Sequence, residues 1–171
     1  MKIRSFMTMM VAAAALVMSV SSCSSSDDDE PEAPLAVQVA GYYTGNEVMT
    51  VMGEPDESST TILFTKVADS SVDLTLPEYG EGMMALPSIP VKGITLTKNG
   101  NTITGKLASD SYTGTVTNAS GAEKAYTISD LTVLFNELNV VVTFSLKYGN
   151  MPFDFEGRFT GTRKVVSTPL D

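Results

Sequence analysis

From Val37 onward, apolar residues alternate with polar ones, and turn-forming residues recur about every ten positions. Period-two alternation sends successive side chains to opposite faces of a strand. This part of the chain therefore predicts an antiparallel sandwich or barrel. Gly41 to Val51 opens the set. The polar stretch from Gly53 to Glu57 reads as a loop, and Thr61 to Val67 as the second strand. Val72, Leu74 and Leu76 form the apolar phase of a third strand, which Pro77 stops. A long loop from Tyr79 to Pro90 carries Gly80, Gly82, Pro87 and Pro90.

Val91 to Lys98 then leads into Asn99-Gly100, the strongest hairpin signal in the chain, and Thr102 to Ala108 returns. Ser111 to Thr117 precedes a turn around Asn118 to Gly121. In Lys124 to Phe135, Tyr126 and Ile128 hold one phase while Leu131, Val133 and Phe135 hold the other. One added residue near Ser129-Asp130 reverses the facing, which predicts a β-bulge. Val140, Val142, Phe144, Leu146 and Tyr148 keep one phase throughout. After Gly149-Asn150, Phe153, Phe155 and Phe159 alternate with Asp154, Glu156 and Arg158. No stretch in this region sustains a 3.6-residue period with helix caps.

The first residues follow a different pattern. Lys2 and Arg4 precede an apolar run from Phe6 to Val20 that is shorter than the ~20 residues needed to cross a bilayer. Val20-Ser21-Ser22-Cys23 follows, and Cys23 is the chain's one cysteine. This is the layout of a bacterial lipoprotein signal, residues 1–22, with Cys23 as the lipid carrier. The acidic run Ser24-Ser25-Ser26-Asp27-Asp28-Asp29-Glu30 resembles the export tags that send lipoproteins to the cell surface. Like charges in a block repel and stay extended, so residues 23–38 read as a disordered tether. Residues 39–166 then form the domain, and 167–171 a short tail. Membrane attachment is expected through lipidated Cys23, on a surface-exposed outer-membrane lipoprotein.

Charge narrows the field of partners. Without the signal, 20 acidic residues stand against nine basic ones. Nucleic acid and anionic headgroups select Lys/Arg patches, so neither is an expected partner.

The order of elements resembles the calycin-like β-barrel domain of lipid-anchored proteins from gut-type anaerobic bacteria. Gly41-Tyr42-Tyr43-Thr44-Gly45 is similar to its opening strand, and Leu86 to Val91 to its middle segment. Phe153-Asp154-Phe155-Glu156-Gly157-Arg158-Phe159-Thr160-Gly161 is similar to its closing strand. The resemblance implies an all-β, antiparallel up-and-down barrel of about eight strands, related in shape to lipocalins. It implies no activity and no cofactor.

Candidate chemistry is sparse. The chain has no His, which removes the Ser-His-Asp arrangement and every His metal site. An acylated Cys23 is lost to thiol catalysis and metal binding. No catalytic or metal site is therefore expected. Asp154, Glu156 and Arg158 share the face opposite the phenylalanines and read as a solvated outer surface with charge pairing. The inward set Phe144, Leu146, Tyr148, Phe153, Phe155 and Phe159 is the candidate barrel lining. Two roles remain open. One is a non-catalytic module holding a small apolar ligand inside the barrel. The other is a filled barrel that meets a protein partner through segments such as Gly53 to Ser59 and Tyr79 to Pro90.

Overall fold

The computed structural model describes residues 32–82 and 85–164. Nine strands follow one short helix: α1 Leu35–Val39, β1 Gly41–Val51, β2 Glu54–Ala68, β3 Ser71–Leu76, β4 Ile89–Asn99, β5 Thr102–Lys106, β6 Ser111–Thr117, β7 Glu123–Asn136, β8 Asn139–Tyr148 and β9 Phe155–Arg163. All recorded pairings are antiparallel. The order β5-β4-β3-β2-β1-β9-β8-β7, with β5 pairing back onto β7, closes a ring of eight strands. This is the expected up-and-down barrel.

β6 is the ninth strand. It continues the line of β5 along β7, with Lys106 opposite Thr132 and Ser111 opposite Ser129. Residues 107–110 interrupt the line, so the strand expected to run to Ala108 stops at Lys106. Among the described residues no ladder joins β4 to β6. Instead the Tyr126 hydroxyl, reaching from β7, donates a hydrogen bond to the Pro90 carbonyl of β4. Gly114 of β6 leaves the space that this phenol fills, since a Cβ there would overlap its ring.

The β7 bulge lies where the phase reversal put it. Ser129 pairs with Ser145 and Thr132 with Thr143, so Asp130 and Leu131 together oppose Phe144. Asp130 takes φ 54°, in the left-handed region that Asp tolerates better than most residues. Above and below this point opposite parities face inward, which keeps Ile128, Leu131, Val133 and Phe135 all buried.

Several expectations need correction. Glu54 to Ser59 is the first half of β2 and not a loop; its register with β1 runs from Val51↔Glu54 to Gly41↔Phe64. The turn is only Met52-Gly53, both at positive φ, as a two-residue I′ hairpin requires. The Asn99-Gly100 signal is displaced by one: Asn99 pairs with Thr102 and the turn is Gly100-Asn101. The stretch read as tether up to residue 38 ends sooner, because Leu35–Val39 is helical and buries Ala36 and Val39 against the barrel. Five residues are too few to show a helical period. Cys23, the Ser24–Glu30 run and the Met83-Met84 pair lie outside the described residues.

Candidate functional site

Alternating strand direction gives the barrel two distinct ends. One carries α1, the β2–β3, β4–β5 and β7–β8 turns, and the end of β9. The other carries the β1–β2 turn, the long β3–β4 segment (77–88), and the β6–β7 and β8–β9 loops (118–122 and 149–154). We call them the helix end and the loop end.

At the helix end an aromatic cluster packs the interior and its buried hydroxyl is paired, beside a small opening of about 170 Å³ bordered by Val39, Ile103 and Phe135. Tyr43, Phe64 and Phe135 pack ring against ring, with centroids 4.9–5.9 Å apart. Aromatic contacts of this kind add about 0.5–1.5 kcal/mol each beyond simple burial. The Tyr43 hydroxyl donates to the Val39 carbonyl at 2.9 Å. Arg163 Nη1 donates to the Gln38 carbonyl at 2.7 Å, and the Ala36 N–H to the Asp69 carbonyl at 3.0 Å. Together these bonds seat α1 on the barrel like a stopper.

The loop end is different in kind. Val51, Tyr79, Tyr112, Val116, Met151 and Phe153 pack on the core there, each only partly buried. They come from four stretches far apart in sequence, the end of β1, the β3–β4 segment, β6 and the β8–β9 loop, and form an apolar rim. Below the rim lie two buried polar residues for which no side-chain hydrogen bond is formed among the described residues, and of their polar atoms the Tyr148 hydroxyl is the one fully enclosed. Glu47 is 2% exposed, on the inward phase of β1 between Tyr43 and Met49. Among the described residues its carboxyl accepts no hydrogen bond and forms no ion pair. Loss of solvent pushes its pKa from 4.5 up to about 7. Tyr148 is 4% exposed, and its hydroxyl has no partner. Burial raises its pKa as well.

Tyr79 stands over Glu47. The segment after β3 folds back on itself, with Tyr79 and Leu86 exchanging backbone hydrogen bonds of 3.0 and 2.8 Å. This holds the Tyr79 hydroxyl 3.0 Å from Asp56 Oδ2, to which it donates. The phenol pKa is pushed up to about 12 by desolvation first, then by the Asp56 hydrogen bond, and by the charges of Asp56 and Glu47. Asp56 pairs with Met49 across the β1–β2 ladder and Ser58 with Glu47. Ser58 and Asp56 share the parity of the buried Ile62 and Phe64 farther along β2, Ser58 half-buried and Asp56 exposed at the rim.

The expected lining set is placed as follows. Phe144, Leu146, Tyr148, Phe155 and Phe159 are buried on the inner face of β8 and β9. Phe153 is a correction: it precedes β9, is only partly buried, and packs edge-on against Phe155 at 5.6 Å. Gly157 gives the Phe144 ring its space, since a Cβ there would overlap it. Asp154 and Arg158 are exposed as expected, with Glu156 beside them, but Asp154 lies just before the strand. Lys66 and Asp69 form an ion pair at 2.9 Å, whereas among the described residues none joins Asp154, Glu156 or Arg158, so the charge pairing expected along β9 is not formed. An open groove of about 490 Å³ crosses the outer face of β1, β9 and β8, with Thr50, Glu156 and Arg158 in its walls. A second opening, about 580 Å³, lies at the loop end between Gly82, Ala85 and Asn118 to Ser120.

Glu47 was legible but not singled out. It is the one acidic residue in the Tyr43–Met49 phase of the first strand, and period-two counting alone puts it inside. The missing partner of Tyr148 has no counterpart in sequence.

These features define a closed antiparallel β-barrel, stoppered at one end and rimmed with half-buried apolar groups at the other. Residues 39–162 match the calycin-like β-barrel domain family, and the chain belongs to that family. Among solved structures, a Bacteroides fragilis protein provisionally named an outer membrane protein is similar, with a TM-score of 0.59 and 19% identity. The match covers 77% of this chain and 53% of that one, so this chain spans about half the length of its neighbour, and the likeness is one of fold. No match is found among curated proteins.

Proposed function

We propose that this protein is a lipid-anchored, non-catalytic binding module of the cell envelope that takes a small amphipathic ligand at the loop end of its barrel. The observation that carries this reading is the rim itself. Half-buried apolar side chains surround the buried Glu47 and the enclosed Tyr148 hydroxyl, neither of which has a side-chain hydrogen bond among the described residues. An unsatisfied buried polar group costs about 1–3 kcal/mol, and a ligand that supplies the missing bond recovers that cost on binding. The helix end, whose buried hydroxyl is paired, leaves no such opportunity. Ligand sites of this type are mostly apolar with a few placed polar groups. The absence of His and the single cysteine in an N-terminal lipoprotein box support a binding role over a catalytic one.

Native mass spectrometry of the full-length protein extracted from its own host tests the reading. A bound mass that leaves on denaturation is the expected result. A clean apo mass, together with no change in melting temperature on adding the extracted host lipids, would refute it and favour a filled barrel with a protein partner. Anchoring has its own test. Each buried CH₂ adds about 0.8 kcal/mol of membrane affinity, so two or three acyl chains hold firmly. Cys23→Ala should move the protein from the membrane to the soluble fraction; a membrane-bound, correctly processed variant removes the anchor from the proposal.

A further inference from the structure

Resting on the loop-end reading, the geometry points to one chemical class of ligand: we infer that Glu47, Asp56 and Tyr79 form a receptor for an ammonium group, so that the ligand is an amphipathic amine with its charged head below the rim and its apolar chain against it.

The argument starts from what Glu47 lacks. A glutamate only 2% exposed, with no hydrogen bond to its carboxyl among the described residues, is an expensive thing to keep in a barrel interior. A Leu would fill the same inward position of β1 without that cost. The group becomes favourable when a cation reaches it, because an ion pair in desolvated surroundings is stronger than in water. A second carboxylate is at hand. Asp56 sits one ladder step nearer the rim on the neighbouring strand, oriented by the Tyr79 hydroxyl at 3.0 Å. Tyr79 also contributes an aromatic ring, the surface that organic cations prefer.

A metal ion fits less well. Ca²⁺ takes roughly six or more oxygens. Among the described residues no three acidic, His or Cys side chains converge. Two carboxylates and a phenol suit the three N–H donors of a primary ammonium. An anionic head is disfavoured, because Glu54, Asp56, Glu78 and Glu81 all stand on the approach. The apolar end of the ligand has its own partners. Val51 is in register with Phe155, and Phe155 packs against Phe153.

The test is calorimetric titration of the full-length Cys23→Ala protein with three probes of one chain length: n-decylamine, n-decanol and decanoate. The amine should bind about tenfold or more tighter than either other probe. Glu47→Gln should remove that preference while leaving decanol binding unchanged. If Glu47→Gln fails to fold, as judged by its melting transition, Asp56→Asn at the rim carries the same comparison. Amine binding should also strengthen from about pH 6 to pH 8 and release a proton, because the carboxyl must ionise to receive the cation. Equal binding of all three probes, or undiminished amine preference in the variant that folds, overturns the ammonium assignment and leaves the loop-end reading standing. Binding of none overturns both.

Discussion

The two ends of this barrel are built from the same strands and obey opposite rules. At the helix end, every polar group that α1 and the neighbouring strands bring inside finds a partner: Tyr43 on Val39, Arg163 on Gln38, Ala36 on Asp69. At the loop end, among the described residues, the enclosed Tyr148 hydroxyl has none, and the carboxyl of the buried Glu47 forms no hydrogen bond or ion pair. Native interiors satisfy nearly all their buried polar groups, and exceptions call for a reason. The contrast separates stability from function. Satisfied groups hold the stopper in place, and the unsatisfied one is where the proposed ligand would complete the structure.

The first way to break this comparison is to ask whether the loop end is folded as firmly as the helix end. Phe155→Asp places an unpaired charge among buried side chains and should cost more than about 4 kcal/mol, abolishing the cooperative melting transition. A melting temperature equal to that of the unsubstituted protein would mean that the loop end is already open to water.

The second concerns Glu47 and carries a sign. Its folded pKa, about 7, lies above the ordinary 4.5, so the folded chain holds this proton more tightly than the unfolded one. The corresponding stability is full below pH 4.5, declines between 4.5 and 7, and is absent above. Glu47→Gln should gain on the order of 3 kcal/mol over the parent at about pH 8, with the gain vanishing near pH 4. Urea unfolding of both proteins across that range checks it, and parallel pH profiles would contradict the buried carboxyl.

The third sharpens the contrast with one pair of matched substitutions. Tyr43→Phe removes a hydroxyl that is bonded, and should lose about 1 kcal/mol. Tyr148→Phe removes one that is not, and should be neutral or gain a few tenths of a kcal/mol. Equal losses in chemical denaturation would erase the distinction between the ends.

Much of the helix end and the barrel wall was legible in the sequence, because strict alternation survives wherever one face is buried. The bulge at Ser129-Asp130 showed as a change of parity, and the closing strands as phenylalanines spaced by two. The first half of β2 was not legible: Glu54 to Ser59 sits at the rim, where the inward positions are Asp56 and Ser58, and no apolar phase betrays a strand. α1 escaped because five residues span little more than one turn. The loop end as a site could not be read along the chain at all. Its rim is assembled from Val51, Tyr79, Tyr112 and Phe153, which closure of the ring brings to one end and no local pattern connects.

One feature of the wall bears on time rather than affinity. On the helix-end side the ring is hydrogen-bonded without a break, but between β4 and β6 the wall is held shut by the Tyr126 hydroxyl on the Pro90 carbonyl. A molecule seated at the loop end therefore has two exits, up through the rim or sideways past this latch. Parting β4 from β6 breaks this one side-chain bond and no ladder, while β6 stays on its seven-residue ladder with β7. If the loop end holds a ligand as proposed, the release of this one phenol sets the rate of the sideways exit alone, independently of how tightly the rim grips.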